Sequence, residues 1–131
     1  YFDGATDPYD REALWLSGMG QTDMYKFIGK VNAIRSQEKW WNYPAVERWC
    51  DDNFYAFSRN DVLVVLSNVD NASIERTITF SDYAPGTVLV NQLDEADTVT
   101  VGDDKSYTVV LPEGLPKIYK PAVNTATFLQ E

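Results

Sequence analysis

Asp7 and Arg11 stand four residues apart in Thr6-Asp-Pro-Tyr-Asp-Arg-Glu12, a spacing that brings two side chains together on one turn of helix. A carboxylate accepts hydrogen bonds and a guanidinium donates them from a rigid fork, so such a pair suits a ligand rich in vicinal hydroxyl groups. The same residues also have a plain structural use. Asp7 can cap a helix whose first position is Pro8, Asp10 then faces the positive end of the helix dipole, and Arg11 closes an ion pair with Asp7. Spacing alone leaves both uses open.

Two further groups could carry chemistry. Trp40, Trp41, Tyr43, Trp49, Phe54, Tyr55 and Phe57 are dense enough to form a stacking platform for sugar rings, or to pack between a helix and a sheet. Asp94, Glu95, Asp97, Asp103 and Asp104 have the charge to hold calcium. They fall in two turns without a ligand spacing, so the expectation is a solvated acidic surface and no metal site.

What is missing narrows the chemistry. The 131 residues contain no histidine, which removes the usual general base, the Ser-His and Cys-His nucleophile pairs and the commonest zinc ligand. The formal charge of −9, from 20 acidic against 11 basic residues, repels polyanions. Nucleic acid and anionic membranes are therefore not expected as partners. Cys50 is the one cysteine; it cannot close an internal disulfide and is expected as a small residue within a sheet, or paired outside this chain. No run is long enough to span a membrane. The start at Tyr1, without an initiating Met or a leader, reads as a cut, and predicts a small domain with part of another attached.

The elements that must position these residues divide into two sets. A helix is predicted over 7–15 and is stopped by Ser17-Gly-Met-Gly20. A second follows over 22–36, with Met24, Phe27, Ile28, Val31 and Ile34 on one face. The period then breaks, and the domains are placed at 1–40 and 41–131. From there the chain reads as strands at 45–50, 54–58, 62–68, 74–80, 87–91, 98–101, 107–111 and 118–120, separated by turn-forming residues. The run Val62-Leu-Val-Val-Leu66 does not alternate, so it is expected to be covered on both faces, with 54–58 and 74–80 built around it. The fold predicted is mainly β, an antiparallel sandwich preceded by two helices.

Two stretches carry a resemblance. Tyr1-Phe-Asp-Gly-Ala-Thr-Asp-Pro-Tyr-Asp-Arg-Glu-Ala-Leu-Trp-Leu-Ser-Gly18 with Tyr25-Lys-Phe-Ile-Gly-Lys-Val-Asn-Ala-Ile-Arg35 resembles the end of the catalytic barrel of fungal-type α-amylases of glycoside hydrolase family 13. Val64-Val-Leu-Ser-Asn68, Thr98-Val-Thr-Val-Gly102 and Leu111-Pro-Glu-Gly-Leu-Pro116 resemble the C-terminal Greek-key β domain of the same enzymes. The family's Gly-Gly-Asn before the motif is Gly4-Ala5-Thr6 here, and its Asn before the Arg is Asp10.

The resemblance implies that the two helices are a remnant of a (β/α)8 barrel, and that Asp7 and Arg11 bind donor-side sugar units of an α-glucan. It places the catalytic Asp, Glu and Asp, and the main calcium site, before Tyr1, so this chain has no catalytic residue and no cofactor of its own. The parent enzyme would be a secreted monomer that endo-hydrolyses α-1,4-glucan with retention. The sequon Asn71-Ala-Ser73 is consistent with secretion. The rival readings are a cyclodextrin-forming transglycosylase of the same family and a non-catalytic carbohydrate-binding sandwich.

Overall fold

Val62, Leu63, Val64 and Val65 are all buried, as a run without alternation requires, since a strand with no polar side must be covered on both faces; Leu66, the last residue of the run, is 40% exposed, contrary to expectation, where the strand nears its end. This strand, β3 (Val62–Ser67), lies inside a six-stranded sheet between β2 (Phe54–Arg59) and β8 (Lys117–Pro121). The computed structural model describes residues 14–122. They fall into two compact units that divide between Lys39 and Trp40.

In the second unit the large sheet is completed by β1 (Val46–Cys50), β5 (Val88–Asn91) and β6 (Thr98–Thr100), in the order β1-β2-β3-β8-β5-β6. A second sheet holds β4 (Ile74–Ile78) and β7 (Tyr107–Leu111). Every pairing is antiparallel. All eight predicted strands are present, to within two residues at each end. The antiparallel sandwich expected from their spacing is the fold.

The two sheets enclose one core. Phe54, Ala56, Leu63, Val65, Leu89 and Tyr119 of the large sheet meet Ile78, Tyr107, Val109 and Leu111 of the small one. Each fully buried Val or Leu among them contributes about 1.5–3 kcal/mol of transfer free energy. The alternation along β2 is that of a half-buried strand, with Phe54, Ala56 and Ser58 inward. Pairing in β4 and β7 sets Ile74 against Leu111 and Ile78 against Tyr107, while on the wet side the Thr77 and Thr108 hydroxyls meet at 2.9 Å.

One expected adjacency is not made. Residues 74–80 do not return beside β3; β4 crosses to the other sheet, and β8 takes the place next to β3. The reason lies in the side chains. Glu75 and Thr77 give β4 a polar face, which suits a sheet with one wet side, whereas Ile118 and Tyr119 of β8 are both buried and can sit against a strand that is dry on both faces.

Because all strands are antiparallel, the connections collect at two ends of the sandwich. One end holds residues 51–53, 68–73, 92–97 and 112–116. The other holds 60–61, 79–87 and 101–106, and there the chain also enters β1 and leaves β8. The six residues of β3 separate these ends by about 20 Å.

In the first unit, Leu14–Leu16 and Met19–Gln21 are short 3-10 turns, and α1 (Asp23–Gln37) follows. Thr22 caps α1, its hydroxyl accepting from the Tyr25 N–H at 3.3 Å, while Arg35 complements the dipole in the last turn. Of the predicted apolar face, Ile34 is buried and Val31 half-buried; Met24, Phe27 and Ile28 are exposed. The predicted helix over 7–15 lies mostly outside the described residues. Its last positions, Leu14 and Trp15, belong to a 3-10 turn, so α1 is the one α-helix among the described residues.

Two glycines with left-handed backbone separate conformational strain from steric contact. Gly86 has φ +79 and open space around it; Gly114 has φ +70, and a Cβ there would lie 1.8 Å from the Val69 carbonyl oxygen. Gly86→Ala is expected to cost about 1 kcal/mol and Gly114→Ala at least about 2 kcal/mol more, read from denaturant unfolding of the two variants. Equal losses would mean that Val69 moves aside freely.

Candidate functional site

Asp7 and Arg11 lie outside the described residues. The turns that follow them are described. Trp15 is 84% exposed, and Trp15, Gly18, Gly20, Gln21 and Tyr25 line an open cavity of about 450 Å3. Gly18, at φ +71, supplies the left-handed step between the two 3-10 turns. The cavity lining thus includes two aromatic side chains and one side-chain amide, residue types able to stack on and hydrogen-bond a hydroxylated ligand.

The aromatic residues singled out in the sequence do not form one platform. Phe54 is in the core and Trp49 packs against it, because their positions on β2 and β1 point inward. Tyr55 and Phe57 alternate to the opposite face, with ring centroids 5.8 Å apart. Trp40 is buried, and shares a groove of about 260 Å3 with Ala45, Tyr55, Phe57 and Arg59. Arg59 Nη1 donates to the Trp40 carbonyl at 3.4 Å, which holds that turn against β2. Trp41, at 57%, and Tyr43 are exposed.

Of the five acidic residues, Asp94, Asp97 and Asp104 are tied into turns and an ion pair, while Glu95 and Asp103 are exposed. Asp97 accepts from Lys117 Nζ at 2.7 Å, from Asn91 Nδ2 at 2.9 Å and from the Tyr119 hydroxyl at 3.1 Å. Burial opposes ionisation here, yet Lys117, Asn91 and Tyr119 together hold the carboxyl below its ordinary 3.8. Asn91 is buried, and its Oδ1 accepts from the Leu93 and Ile118 N–H groups. Asp104 accepts from the Ser106 N–H and hydroxyl, and Asp94 from the Ala96 N–H. Among the described residues no three His, Cys, Asp or Glu side chains are grouped together.

Two arginines that sequence reading passed over join the sheets. Arg48 occupies a bulge in β1, where the register slips between Glu47 and Trp49, and is buried. Its Nε donates to Ser58 Oγ at 2.8 Å, its Nη2 pairs with Asp82, and its guanidinium lies 4.9 Å over the Phe80 ring. At the other end Arg76 Nε donates to Asp51 Oδ2 at 2.6 Å, where Trp49 Nε1 also donates, and stacks over Phe54. Arg76 first, then Trp49 and the Asn53 N–H, drive the Asp51 pKa far below 3.8. Cys50 is exposed at the end of β1.

An α-helix followed by this eight-stranded sandwich is an architecture shared with the C-terminal regions of α-amylases. The chain is 34% identical over 131 residues to α-amylase 2 of Schwanniomyces occidentalis, covering 92% of this chain and 26% of that protein. It superposes on an α-amylase from Malbranchea cinnamomea with a TM-score of 0.77 and 31% identity, covering 90% of this chain and 27% of that one. A γ-cyclodextrin glucanotransferase from alkalophilic Bacillus clarkii shares the fold, at TM-score 0.71 and 22% identity over 92% of this chain and 19% of that one. No family model matches. The chain is homologous to fungal α-amylases, as the counterpart of their C-terminal region. It spans about a quarter of the length of the curated relatives it matches.

The Asp97 cluster gives a pH dependence. A carboxyl whose pKa is lowered by folding stabilises the native state above its unfolded pKa, near 3.8, and that contribution is lost as the pH falls through the lower folded value. Asp97→Asn is expected to cost about 1–2 kcal/mol near neutrality. The gap between variant and wild-type melting temperatures should shrink steadily below the ordinary carboxyl pKa. A gap independent of pH would assign the cost to packing.

Proposed function

We propose that this chain is the C-terminal part of a secreted α-amylase that cleaves α-1,4-glucan internally, with retention through a covalent glycosyl intermediate. The observation that carries the reading is the identity to a fungal α-amylase along nearly the whole chain. The nucleophile, the acid/base and the calcium site belong to the part of the enzyme outside these 131 residues. This chain contributes the sugar-binding pair and a β domain that packs against the barrel; the whole enzyme acts as a monomer. The division of labour falls at 1–40, the last loop and helix of the barrel, and 41–131, the β domain.

Asp7 and Arg11 act on the donor side of the scissile bond. Arg11 donates its fork to sugar hydroxyl oxygens, and Asp7 accepts from hydroxyl hydrogens, which fixes the ring before bond cleavage. A guanidinium and a carboxylate together carry no net charge, so the pair favours a neutral polyol over a charged ligand.

The chain by itself should release no reducing sugar from starch; release that is abolished by changing one of its own carboxylates would relocate the catalytic centre. In the whole enzyme, a hydrogen bond to a charged group is worth roughly 1.5–3 kcal/mol, so Arg11→Ala should lower kcat/KM about ten- to a hundredfold on maltooligosaccharides long enough to reach the pair. Shorter ones should be nearly unaffected. The measurement is kcat/KM from maltotriose to maltoheptaose for wild type, Asp7→Ala and Arg11→Ala, beside melting temperatures. Equal losses at every length, following the melting temperature, would leave the pair as a helix cap and brace.

A further inference from the structure

Asn71-Ala72-Ser73 is the one Asn-X-Ser/Thr triplet in the 131 residues, and the fold gives it an unusual setting. It lies in the crossover of residues 68–73, which carries the chain from the large sheet to the small one. All three residues are exposed. Asn71 has φ +55, a left-handed conformation that Asn tolerates better than most residues. Most polar residues in neighbouring turns are tied down: Asp51 by Arg76, Asn53 by Asn68, Asn68 by the Asp52 carbonyl. The Asn71 amide and the Ser73 hydroxyl make no hydrogen bond among the described residues.

We propose that Asn71 carries an N-linked oligosaccharide. The triplet meets the chemical requirement, with a small residue in the middle and a hydroxyl two positions on. The exposure of all three residues meets the steric one. Residues 68–73 stand at the end of the sandwich where no covalent connection to the rest of the protein is made; the chain enters β1 and leaves β8 at the other end, about 20 Å away. A glycan at Asn71 would extend from the end opposite those connections, and the backbone beneath it is braced where Gly114 meets the Val69 carbonyl.

The modification is a transfer from a polyprenyl-diphosphate-linked oligosaccharide. A bond forms between Asn71 Nδ2 and the anomeric carbon of the sugar, the bond from that carbon to the diphosphate oxygen breaks, and the diphosphate leaves with the electron pair. One amide proton passes to a base; nothing is oxidised or reduced. The inference rests on the reading that the protein is secreted.

The test is expression of the 131-residue chain behind a heterologous leader in a yeast secretion host, with intact and peptide mass spectrometry on protein from medium and cells. The expected result is a mass excess on the peptide holding Asn71, removed by peptide-N-glycosidase with conversion of that residue to aspartate. Asn71→Asp, chosen because Asp also tolerates left-handed backbone, and Ser73→Ala should each abolish the excess, and Ser73→Thr should keep it. A bare polypeptide mass in exported chain, or an excess that survives in Asn71→Asp, overturns the proposal. Since the leader is supplied, such a failure leaves the α-amylase reading untouched; that reading stands or falls on the length-dependent kinetics of Asp7 and Arg11.

Discussion

The burial of β3 on both faces is the constraint from which the rest of the β unit follows. Val62, Leu63, Val64 and Val65 leave no side for water, so the strand must be interior to its sheet and have something packed above and below. The small sheet of β4 and β7 closes the inner face, through Ile78, Val109 and Leu111. The neighbours within the sheet must also be apolar where they touch, a condition β2 meets on one side and β8 on the other. A polar substitution here has nowhere to place its group except in a dry interior, at the cost of an unpaired hydrogen-bonding atom.

Polar contacts then fix how the two layers sit on each other. Hydrophobic burial is non-directional and permits sliding; an arginine fork does not. Arg48 reaches Asp82 at one end of the sandwich, and Arg76 reaches Asp51 at the other. The pairs differ in character. Arg48 is almost wholly enclosed, so losing Asp82 would leave a buried charge, whereas both members of the Arg76 pair are about 30% exposed and partly screened. Asp97, Lys117, Asn91 and Tyr119 form a third polar tie, which joins the 92–97 loop to β8.

Much of this was legible in the sequence, because strand existence depends on local pattern. Turn residues such as Asp51-Asp52-Asn53 and Gly102-Asp103-Asp104 mark the breaks, and the unalternating run at 62–66 marks the centre. Sheet membership is not local. The polar face of residues 74–80 suits a sheet with one wet side, but their exclusion from the place beside β3 also depends on β8, forty residues later. The Arg48 bulge was hidden too: Glu47-Arg48-Trp49 reads as an ordinary edge strand until a slipped register turns the arginine inward. For Asp7 and Arg11, the motif and its spacing supply the chemistry, but spacing cannot tell a ligand pair from a cap.

The placement of both connections at one end of the sandwich has a mechanical consequence. A load applied through Trp40 and Pro121 acts on β1 and β8 from the same end, so it opens their ladders bond by bond instead of shearing all the bonds of a strand together. Unzipping asks each hydrogen bond to resist alone. The unit is therefore mechanically soft toward its tether, however stable its core makes it toward heat or denaturant.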